Sequence, residues 1–242
     1  WVHGGPDVLA PAIIDARVEA ALVQALPLAP LHNSMSLKWI RAVREHFGAE
    51  VRQIVAPDTA YYKGLPDVAA RYALPHEFCA KRGIRRYGFH GLAHQSMYEL
   101  WAARCCLQGG GGKVISLQLG SGCSVTAILD GAPIDTSMGF TPLEGLVMAT
   151  RSGDVDPGLL VYLQREAGLG IEQLEELLYH RSGLLGLSGL SGDMRDLLVS
   201  EAPEARSAVA LYCYRAKKYV GAYLAALGGA DALLFGGGVG EN

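Results

Sequence analysis

The chain has 242 residues, of which 50% are hydrophobic and 19% charged, and it contains 31 glycines. This composition can bury one large or two modest hydrophobic cores, and it excludes an intrinsically disordered chain. The net charge of −3 and the isoelectric point near 6.2 create no positive field that would attract nucleic acid or an anionic membrane. We therefore expect small-molecule partners, with no nucleic acid and no membrane.

Cysteine spacing and hydropathy favour a cytoplasmic protein. The cysteines are odd in number and lack the paired spacing of zinc or redox motifs: Cys79, Cys105, Cys106, Cys123 and Cys213. The sequence has no run of roughly 18 apolar residues, as a membrane-spanning helix needs, and no signal-peptide pattern at its start. Because the sequence opens and closes within motifs, at residues 1–5 and 240–242, we expect a fragment truncated at both ends.

Three segments near the amino end carry the periodicity of regular secondary structure. Apolar residues recur at helical spacing over residues 11–26 and 35–47, and Asn33 and Ser34 precede the second segment as candidate caps. The apolar run at residues 51–55 predicts a short buried strand. This order of helix and strand is typical of an α/β protein.

An irregular segment rich in proline and aromatic residues separates this region from the rest. The composition of residues 57–86 favours a structured connection rather than one regular element. We therefore predict two domains, comprising residues 1–61 and residues 62–242.

The longer part of the chain has the pattern of helices packed around a sheet. Helices are predicted over residues 92–107, 156–166, 171–180 and 203–227, and Gly228 and Gly229 suit the end of the last one. Strands are predicted over residues 114–119, 123–129 and 232–235, with a hairpin turn signal at Asp130-Gly131.

Glycine clusters follow the first and the last of these strands. Residues 120–122 read Gly-Ser-Gly, and residues 236–240 read Gly-Gly-Gly-Val-Gly. Glycine lets backbone N–H groups converge on an anion, and α/β proteins bind ligands at the carboxyl ends of strands. The clusters therefore indicate phosphate binding, with an ordinary hairpin as the alternative for the first. Neither has the dinucleotide-binding or P-loop pattern.

Three loop residues have side chains suited to phosphate chemistry. The guanidinium of Arg151 matches phosphoryl oxygens, although a lone loop arginine is commonly a surface ion-pair partner. His90 stands four residues before His94, a spacing that suits a metal pair, but no third ligand is apparent and we favour hydrogen bonding. Asp58 follows a predicted strand, where a catalytic carboxylate or a turn-forming aspartate is expected.

Several phrases of the sequence together resemble the acetate and propionate/butyrate kinase family. They extend over nearly the whole chain and comprise residues 2–5, 28–33, 58–60, 86–91, 135–146 and 238–242. The phrase at residues 135–146 is the most specific. The resemblance implies an α/β fold of the duplicated actin/hexokinase-like (ribonuclease-H-like) type, with most of the second lobe and part of the first.

The resemblance also implies an activity and a set of site residues. The activity is reversible, in-line transfer of the γ-phosphoryl group of ATP, with Mg²⁺, to acetate or another short-chain carboxylate. The residues around the transferring group are Asp58, His90 and Arg151. The residues on the acyl side are Val2, Leu31, His32 and Phe89. The nucleotide-binding residues are Gln118, Leu119, Gly120, Ser121, Gly122, Asp193, Met194, Arg195, Gly238, Val239, Gly240, Glu241 and Asn242.

The sequence departs from the family pattern in its phosphate loop and its extent. The family loop reads His-Leu-Gly-Asn-Gly, whereas Gln118 and Ser121 replace the histidine and asparagine here. The family's amino-terminal phosphate loop and the glutamate that helps hold Mg²⁺ lie outside these residues, and we assign no metal ligand within them. We expect the fragment alone to be inactive and the complete enzyme to be a homodimer. The alternatives are a non-catalytic nucleotide-binding pseudoenzyme and a propionate or butyrate kinase.

Overall fold

The computed structural model of the protein describes residues 1–105 and 111–242, with the backbone alone for Pro30 and Leu31. Its helices are α1 Ala16–Gln24, α2 Pro30–Phe47, α3 Asp67–Ala70, α4 His76–Arg82, α5 Gly91–Arg104, α6 Pro157–Arg165, α7 Ile171–His180, α8 Gly183–Ser188, α9 Met194–Val199, α10 Pro203–Leu227 and α11 Gly237–Gly240. Its strands are β1 Ala12–Ile13, β2 Ile54–Val55, β3 Lys113–Leu119, β4 Cys123–Leu129, β5 Ala132–Thr136 and β6 Ala232–Gly236. Short 3-10 helices cover Leu26–Leu28 and Asp58–Gly64.

The central sheet brings the two glycine clusters together. Within the described chain its strand order is β5-β4-β3-β6. β4 runs antiparallel to β3 and β5, whereas β6 is parallel to β3. Leu119 pairs with Cys123 across the hairpin, and Gln118 pairs with Gly236. Because neighbouring parallel strands end at the same edge of a sheet, both glycine clusters lie at one end of it.

The two faces of the central sheet are covered by different helices. α10 packs on one face, where Ile115 and Leu117 join Tyr212 in the main core. α5 packs on the other face, where Val114 belongs to a second cluster with Tyr98. Successive side chains of a strand point to opposite faces, so the alternating residues of β3 serve both layers.

The amino-terminal part forms a smaller layer beside the start of the 3-10 helix Asp58–Gly64. β1 and β2 pair antiparallel, and the core next to them contains Val8, Leu22 and Val55. The N–H of Asp58 donates to the carbonyl of Trp1 at 2.9 Å, and the N–H of Gly4 donates to Oγ1 of Thr59 at 3.1 Å. These bonds hold the first residues of the chain against the segment that carries Asp58.

The structure confirms the longest predicted elements and adds several short ones. α7 and α10 have the predicted bounds, and Gly228 follows α10 in the left-handed conformation of a C-cap. The predicted strands correspond to β2, β3, β4 and β6, whereas β5, α8, α9 and α11 were not predicted. α5 ends at Arg104, and residues 106 and 107 of the predicted helix lie outside the described residues.

Two predictions near the amino end were wrong in detail. Residues 11–26 do not form one helix, because Ala12–Ile13 pair with Ile54–Val55 before α1 begins. α2 begins at Pro30 rather than at residue 35, since proline suits the first turn of a helix. Asn33 is therefore not a cap. Its buried amide accepts from the N–H of His3 at 3.2 Å and donates to the His3 carbonyl at 3.0 Å.

The segment at residues 57–86 is a structured connection, as predicted, because it contains the second 3-10 helix, α3 and α4. That 3-10 helix runs across the boundary proposed between residues 61 and 62, so the two-domain division stays a prediction. None of the helices in the described ranges combines the length and the apolar character that a membrane crossing requires.

Candidate active site

Asp58 lies where the first turn of α5 approaches the 3-10 helix. An added Cβ on Gly91 would overlap the backbone oxygen of Asp58, so glycine is needed for this close approach. Burial raises the pKa of the Asp58 carboxyl group, and the nearby backbone amides of Leu92 and His90 oppose that rise. The carboxylate therefore sits at the amino-terminal end of α5, where backbone N–H groups favour negative charge.

His90 precedes α5 in a backbone conformation that is uncommon for residues other than glycine. Its φ is +56°, in the left-handed region. Nδ1 of its ring lies 2.8 Å from Oγ of Ser124 on β4. Burial, together with the smaller effect of the positive charge of Arg151, lowers the pKa of His90 to about 4. The imidazole is therefore neutral near pH 7, and the surrounding fold holds it in a strained position.

Arg151 faces the same gap as His90. The ideal Cβ position of Gly122 lies 3.3 Å from Nη2 of Arg151 and 3.4 Å from Nε2 of His90. Nη1 of Arg151 donates to the carbonyl of Pro142 at 2.8 Å, which fixes the direction of the guanidinium. The end of the first glycine turn, a guanidinium and an imidazole thus converge, and we call the space between them the gap.

His32 and Arg151 line a cavity of about 220 Å³ beside the gap. Burial lowers the pKa of His32, Arg151 lowers it further, and the charge of Asp58 raises it. Val2 and Phe89 instead pack in the main core, and the described residues that line this cavity do not include them. The side chain of Leu31 lies outside the described residues. The structure thus groups His32, but neither Val2 nor Phe89, with the cavity.

A larger cavity of about 690 Å³ lies on the other side of the first glycine turn. The predicted nucleotide-binding residues that line it are Gly120, Ser121, Asp193, Met194, Arg195, Gly238, Val239 and Asn242. The remaining ones lie outside its lining and comprise Gln118, Leu119, Gly122, Gly240 and Glu241. Three segments that are far apart in sequence therefore share one cavity, which we call the nucleotide cavity because its lining contains these predicted residues.

Close backbone packing shapes the nucleotide cavity. Gly237 has a φ of +79°, and a Cβ there would lie 2.5 Å from the carbonyl oxygen of Leu119, so the second glycine cluster packs closely against the residue that precedes the first. The N–H of Ala149 donates to the carbonyl of Ser121 at 3.0 Å. Asp193 caps α9 by accepting from the N–H of Arg195 at 2.9 Å, as an N-cap residue does.

Several residues beside these cavities were not predicted from the sequence. Those of the smaller cavity are Leu28, Ala29, Pro142, Thr150, Glu175, Tyr179 and His180. Those of the nucleotide cavity are Ala149, Gly192 and Leu198. Leu28 and Ala29 belong to the phrase at residues 28–33 and Pro142 to the phrase at residues 135–146, and these phrases were the available signals. The others depend on how loops fold back on the sheet, which local sequence patterns do not encode.

His94 makes hydrogen bonds rather than forming a metal pair with His90. Its ring nitrogens lie 2.8 Å from Oγ of Ser116 and 2.8 Å from Oγ of Ser124. Over residues 1–105 and 111–242, no three His, Cys, Asp or Glu side chains come together as metal ligands. Nucleotide-bound Mg²⁺ commonly takes one or two carboxylates and fills its shell with phosphate oxygens and water. Although no metal ligand is expected within these residues from the sequence, the carboxylate of Asp58, whose charge acts on His32 beside the gap, is compatible with that mode of binding.

Comparisons with known proteins agree with this architecture. Residues 1–242 match the profile of the Acetokinase family. The chain is 47% identical to an acetate kinase from Chloroherpeton thalassium and 48% identical to one from Deinococcus deserti. All of this chain aligns in both cases, but it spans only 59% and 61% of those proteins.

Solved structures of related proteins share the fold. The chain is similar to an acetate kinase from Porphyromonas gingivalis, with 43% identity and a TM-score of 0.92, over all of this chain and 61% of that one. It is also similar to a propionate kinase from Francisella tularensis, with 38% identity and a TM-score of 0.94, over all of this chain and 62% of that one. The expected α/β fold is confirmed, and the chain belongs to the Acetokinase family.

Proposed function

We propose that the complete protein transfers the γ-phosphoryl group of ATP to the carboxylate of a short-chain acid, with acetate as the first candidate. The products are an acyl phosphate and ADP, and the reaction is reversible. The observation that carries the proposal is the convergence of Gly122, Arg151 and His90 on one gap next to the nucleotide cavity. The full-length acetate kinases among its relatives support the same reaction.

The side chains around the gap suit phosphoryl transfer, which depends mainly on positioning and electrostatic stabilisation. A carboxylate oxygen attacks the γ-phosphorus while the bond to the β-phosphate oxygen breaks, and no proton has to move. Arg151 would bind phosphoryl oxygens through its two parallel N–H groups. His90 would bind a third oxygen. Both side chains are largely buried, and a water-poor site strengthens such interactions.

Asp58 is the carboxylate of this chain that would hold Mg²⁺ together with phosphate oxygens. When bound, the ion would neutralise charge on the transferring group. The nucleotide would lie in the nucleotide cavity, with its phosphates at Gly120, Ser121 and Gly122. The adenosine would lie toward Asp193, Met194, Arg195 and the segment Gly238–Asn242. The lining residues of that cavity and the family resemblance support this arrangement.

The acid would enter from the side of His32, where Leu28, Ala29 and Pro142 supply small apolar surfaces. Val2, Leu31 and Phe89 remain proposed acyl-side residues by resemblance. Propionate is a second candidate because a propionate kinase is among the similar structures. One methylene group changes binding by only about 1–3 kcal/mol, so competition kinetics with acetate, propionate and butyrate should identify the preferred acid.

The proposal is tested on the full-length protein by trapping the acyl phosphate with hydroxylamine. We expect hydroxamate to form from ATP, Mg²⁺ and acetate, and Arg151→Ala to abolish most of it. Titration with ADP in a calorimeter runs in parallel. Nucleotide binding without turnover for any short-chain acid would favour the non-catalytic alternative, for which the replacements Gln118 and Ser121 are the motivating observation.

We also propose, from family resemblance, that the complete protein is a cytoplasmic homodimer. Light scattering on the full-length protein would test the oligomeric state. A monomeric mass at micromolar concentration, with full activity, would contradict this expectation.

A further inference from the structure

A chain of hydrogen bonds leads from the gap into the central sheet. Nδ1 of His90 lies 2.8 Å from Oγ of Ser124, which lies 2.8 Å from Nε2 of His94. Nδ1 of His94 lies 2.8 Å from Oγ of Ser116. His94 and both serines are fully buried between α5 and the strands β3 and β4. A hydroxyl in an apolar layer is costly unless it is paired, so these serines call for an explanation.

The number of protons limits how this chain can be arranged. Each serine hydroxyl carries one proton, and a neutral imidazole carries one N–H. His94 is fully buried, and burial lowers its pKa to about 3, so its ring carries a single N–H near pH 7. With one donor for each link, three arrangements are possible. In one of them Ser124 accepts from both histidines and its buried hydroxyl proton has no acceptor in the chain, which is costly. The other two run in opposite directions.

In the first arrangement, which starts at the buried Ser116 hydroxyl, each group donates toward the gap. The Ser116 hydroxyl donates to Nδ1 of His94, and Nε2–H of His94 donates to Ser124. The Ser124 hydroxyl then donates to Nδ1 of His90, which leaves the His90 proton on Nε2. In the reversed arrangement every donor becomes an acceptor, and Nε2 of His90 faces the gap with a lone pair.

The inner end of the chain favours the first arrangement. In the reversed one, the Ser116 hydroxyl proton would have to find another acceptor. The acceptor that the described residues offer is Sδ of Met97 at 3.9 Å, and a thioether is a weak acceptor. A buried donor without a good partner costs about 1–3 kcal/mol. The first arrangement leaves no buried hydroxyl proton of the chain without a good acceptor.

We propose that Ser116, His94 and Ser124 are positioning residues that hold His90 as the neutral tautomer with its proton on Nε2. His90 then presents an N–H to the gap beside Nη2 of Arg151, and both groups are donors ready for phosphoryl oxygens. Its consequence for catalysis rests on the proposed phosphoryl transfer, whereas the tautomer is a property of this chain by itself. Donors that are oriented before the reaction need no rearrangement as charge develops.

The tautomer can be measured directly on the full-length protein by ¹⁵N NMR of its histidine rings. We expect a protonated Nε2 and an unprotonated Nδ1 at His90 in the wild type. Ser124→Ala removes the donor to Nδ1 and should give a mixture of the two tautomers. A wild-type His90 with its proton on Nδ1 would overturn the proposal even if the variant did not fold.

Thr126→Val is the matched control, because it also removes a fully buried hydroxyl from β4. Oγ1 of Thr126 bonds to the Tyr62 hydroxyl at 2.9 Å and to Thr136 at 3.1 Å, not to a histidine. We expect this variant to keep Nε2–H at His90. If Ser124→Ala also kept Nε2–H fully populated, Ser124 would not be what fixes the tautomer, and the proposal would fail.

Kinetics on the full-length protein separate positioning from general damage. Ser124→Ala should lower kcat about 10- to 100-fold and leave the KM values for ATP and acid nearly unchanged, as expected for loss of orientation of a group that acts in the transition state. Thr126→Val should stay close to wild type. The full-length protein could lack kinase activity while Ser124→Ala still lost the Nε2–H tautomer of His90. That result would support the positioning role and overturn the proposed function.

Discussion

Ser121 and Gly122 are neighbours in one turn but face different surroundings. Gly122 faces the gap, where His90 and Arg151 are largely buried and burial shifts their pKa values. Ser121 faces the nucleotide cavity, which is lined by glycine backbone and exposed side chains such as Arg195. The chemistry of the gap therefore depends on protonation and charge, whereas that of the nucleotide cavity depends on backbone shape. Changes on the two sides should have different signatures.

The largest expected effect is a loss of stability in mild acid, caused by three largely buried histidines, of which His90 and His94 belong to the hydrogen-bond chain that starts at the gap. Burial lowers the pKa of His3 and His90 to about 4 and that of His94 to about 3, below the unfolded value of 6.5. As the pH falls, the unfolded chain therefore binds protons at these histidines before the folded chain does. The stability that the neutral histidines contribute is present above pH 6.5 and is lost as the pH falls. Because the folded chain excludes three protons that the unfolded chain binds, the free energy of unfolding should fall by roughly 4 kcal/mol per pH unit between about pH 6 and 5.

Denaturant unfolding of the 242-residue chain from pH 7 to 5 would measure this slope. The raised pKa of Asp58 acts in the opposite sense at lower pH, because its folded form binds a proton more readily. His94→Asn should reduce the slope by about one proton, or roughly 1.4 kcal/mol per pH unit. A free energy of unfolding that stayed constant over this range would contradict buried neutral histidines.

Two arginines allow the gap and the nucleotide cavity to be compared by the same substitution. Arg151→Ala removes a largely buried guanidinium from the gap and should lower kcat by about 10³-fold or more in the full-length protein. Arg195→Ala removes a guanidinium whose side chain is 90% exposed, and its ion pair with Asp193 contributes little. We expect it to raise the KM for ATP only a few-fold. Equal losses of kcat in both variants would contradict the difference that we draw between the gap and the nucleotide cavity.

Two adjacent glycines separate backbone shape from free space in the nucleotide cavity. Gly237→Ala puts a Cβ 2.5 Å from the Leu119 carbonyl oxygen at a φ of +79°, so it should cost roughly 2 kcal/mol or more of stability. Gly238→Ala meets no atom within 4 Å and should leave stability unchanged within about 0.5 kcal/mol. Chemical denaturation of both variants checks this, and equal midpoints would show that the second glycine cluster is not tightly packed against Leu119.

The smallest expected effect concerns the phosphate loop. Ser121→Asn introduces the family residue into the lining of the nucleotide cavity and adds at most one hydrogen bond, worth about 1 kcal/mol. ADP affinity measured by calorimetry should rise a few-fold. Gln118→His is the control, because Oε1 of Gln118 lies 3.0 Å from the ideal Cβ position of Gly236 and outside that lining. A larger gain from Gln118→His would reverse this assignment.

The sequence predicts the elements whose signals are local. α10 was found to the residue because its periodicity ends at Gly228, and β3 and β4 were found because apolar runs flank a short glycine turn. β1 was missed because two residues have no pattern of their own and depend on pairing with Ile54–Val55. The start of α2 was missed because the apolar repeat is apparent only from residue 35, whereas the helix begins at Pro30, which suits a first turn.

The candidate site likewise contains residues that local sequence signals identify and residues that depend on the fold. The motif residues Asp58, His90 and Arg151 were named from the sequence, and the structure brings His90 and Arg151 to one gap. Ser116 and Ser124 were not recognised, because their partners depend on which face of the sheet α5 covers. A serine among the apolar residues of each buried strand was the local sign of that network.

The left-handed backbone of His90 places conformational strain at a residue that we propose acts in catalysis. At a φ of +56° glycine is more comfortable than an imidazole-bearing residue, so His90→Gly relieves backbone strain that histidine must bear. The same replacement leaves the buried Ser124 hydroxyl without its partner on His90, so relief of strain and loss of a hydrogen bond act on the melting temperature in opposite directions. Screens that raise heat resistance in this family should accordingly hold residue 90 fixed or select for product at the same time.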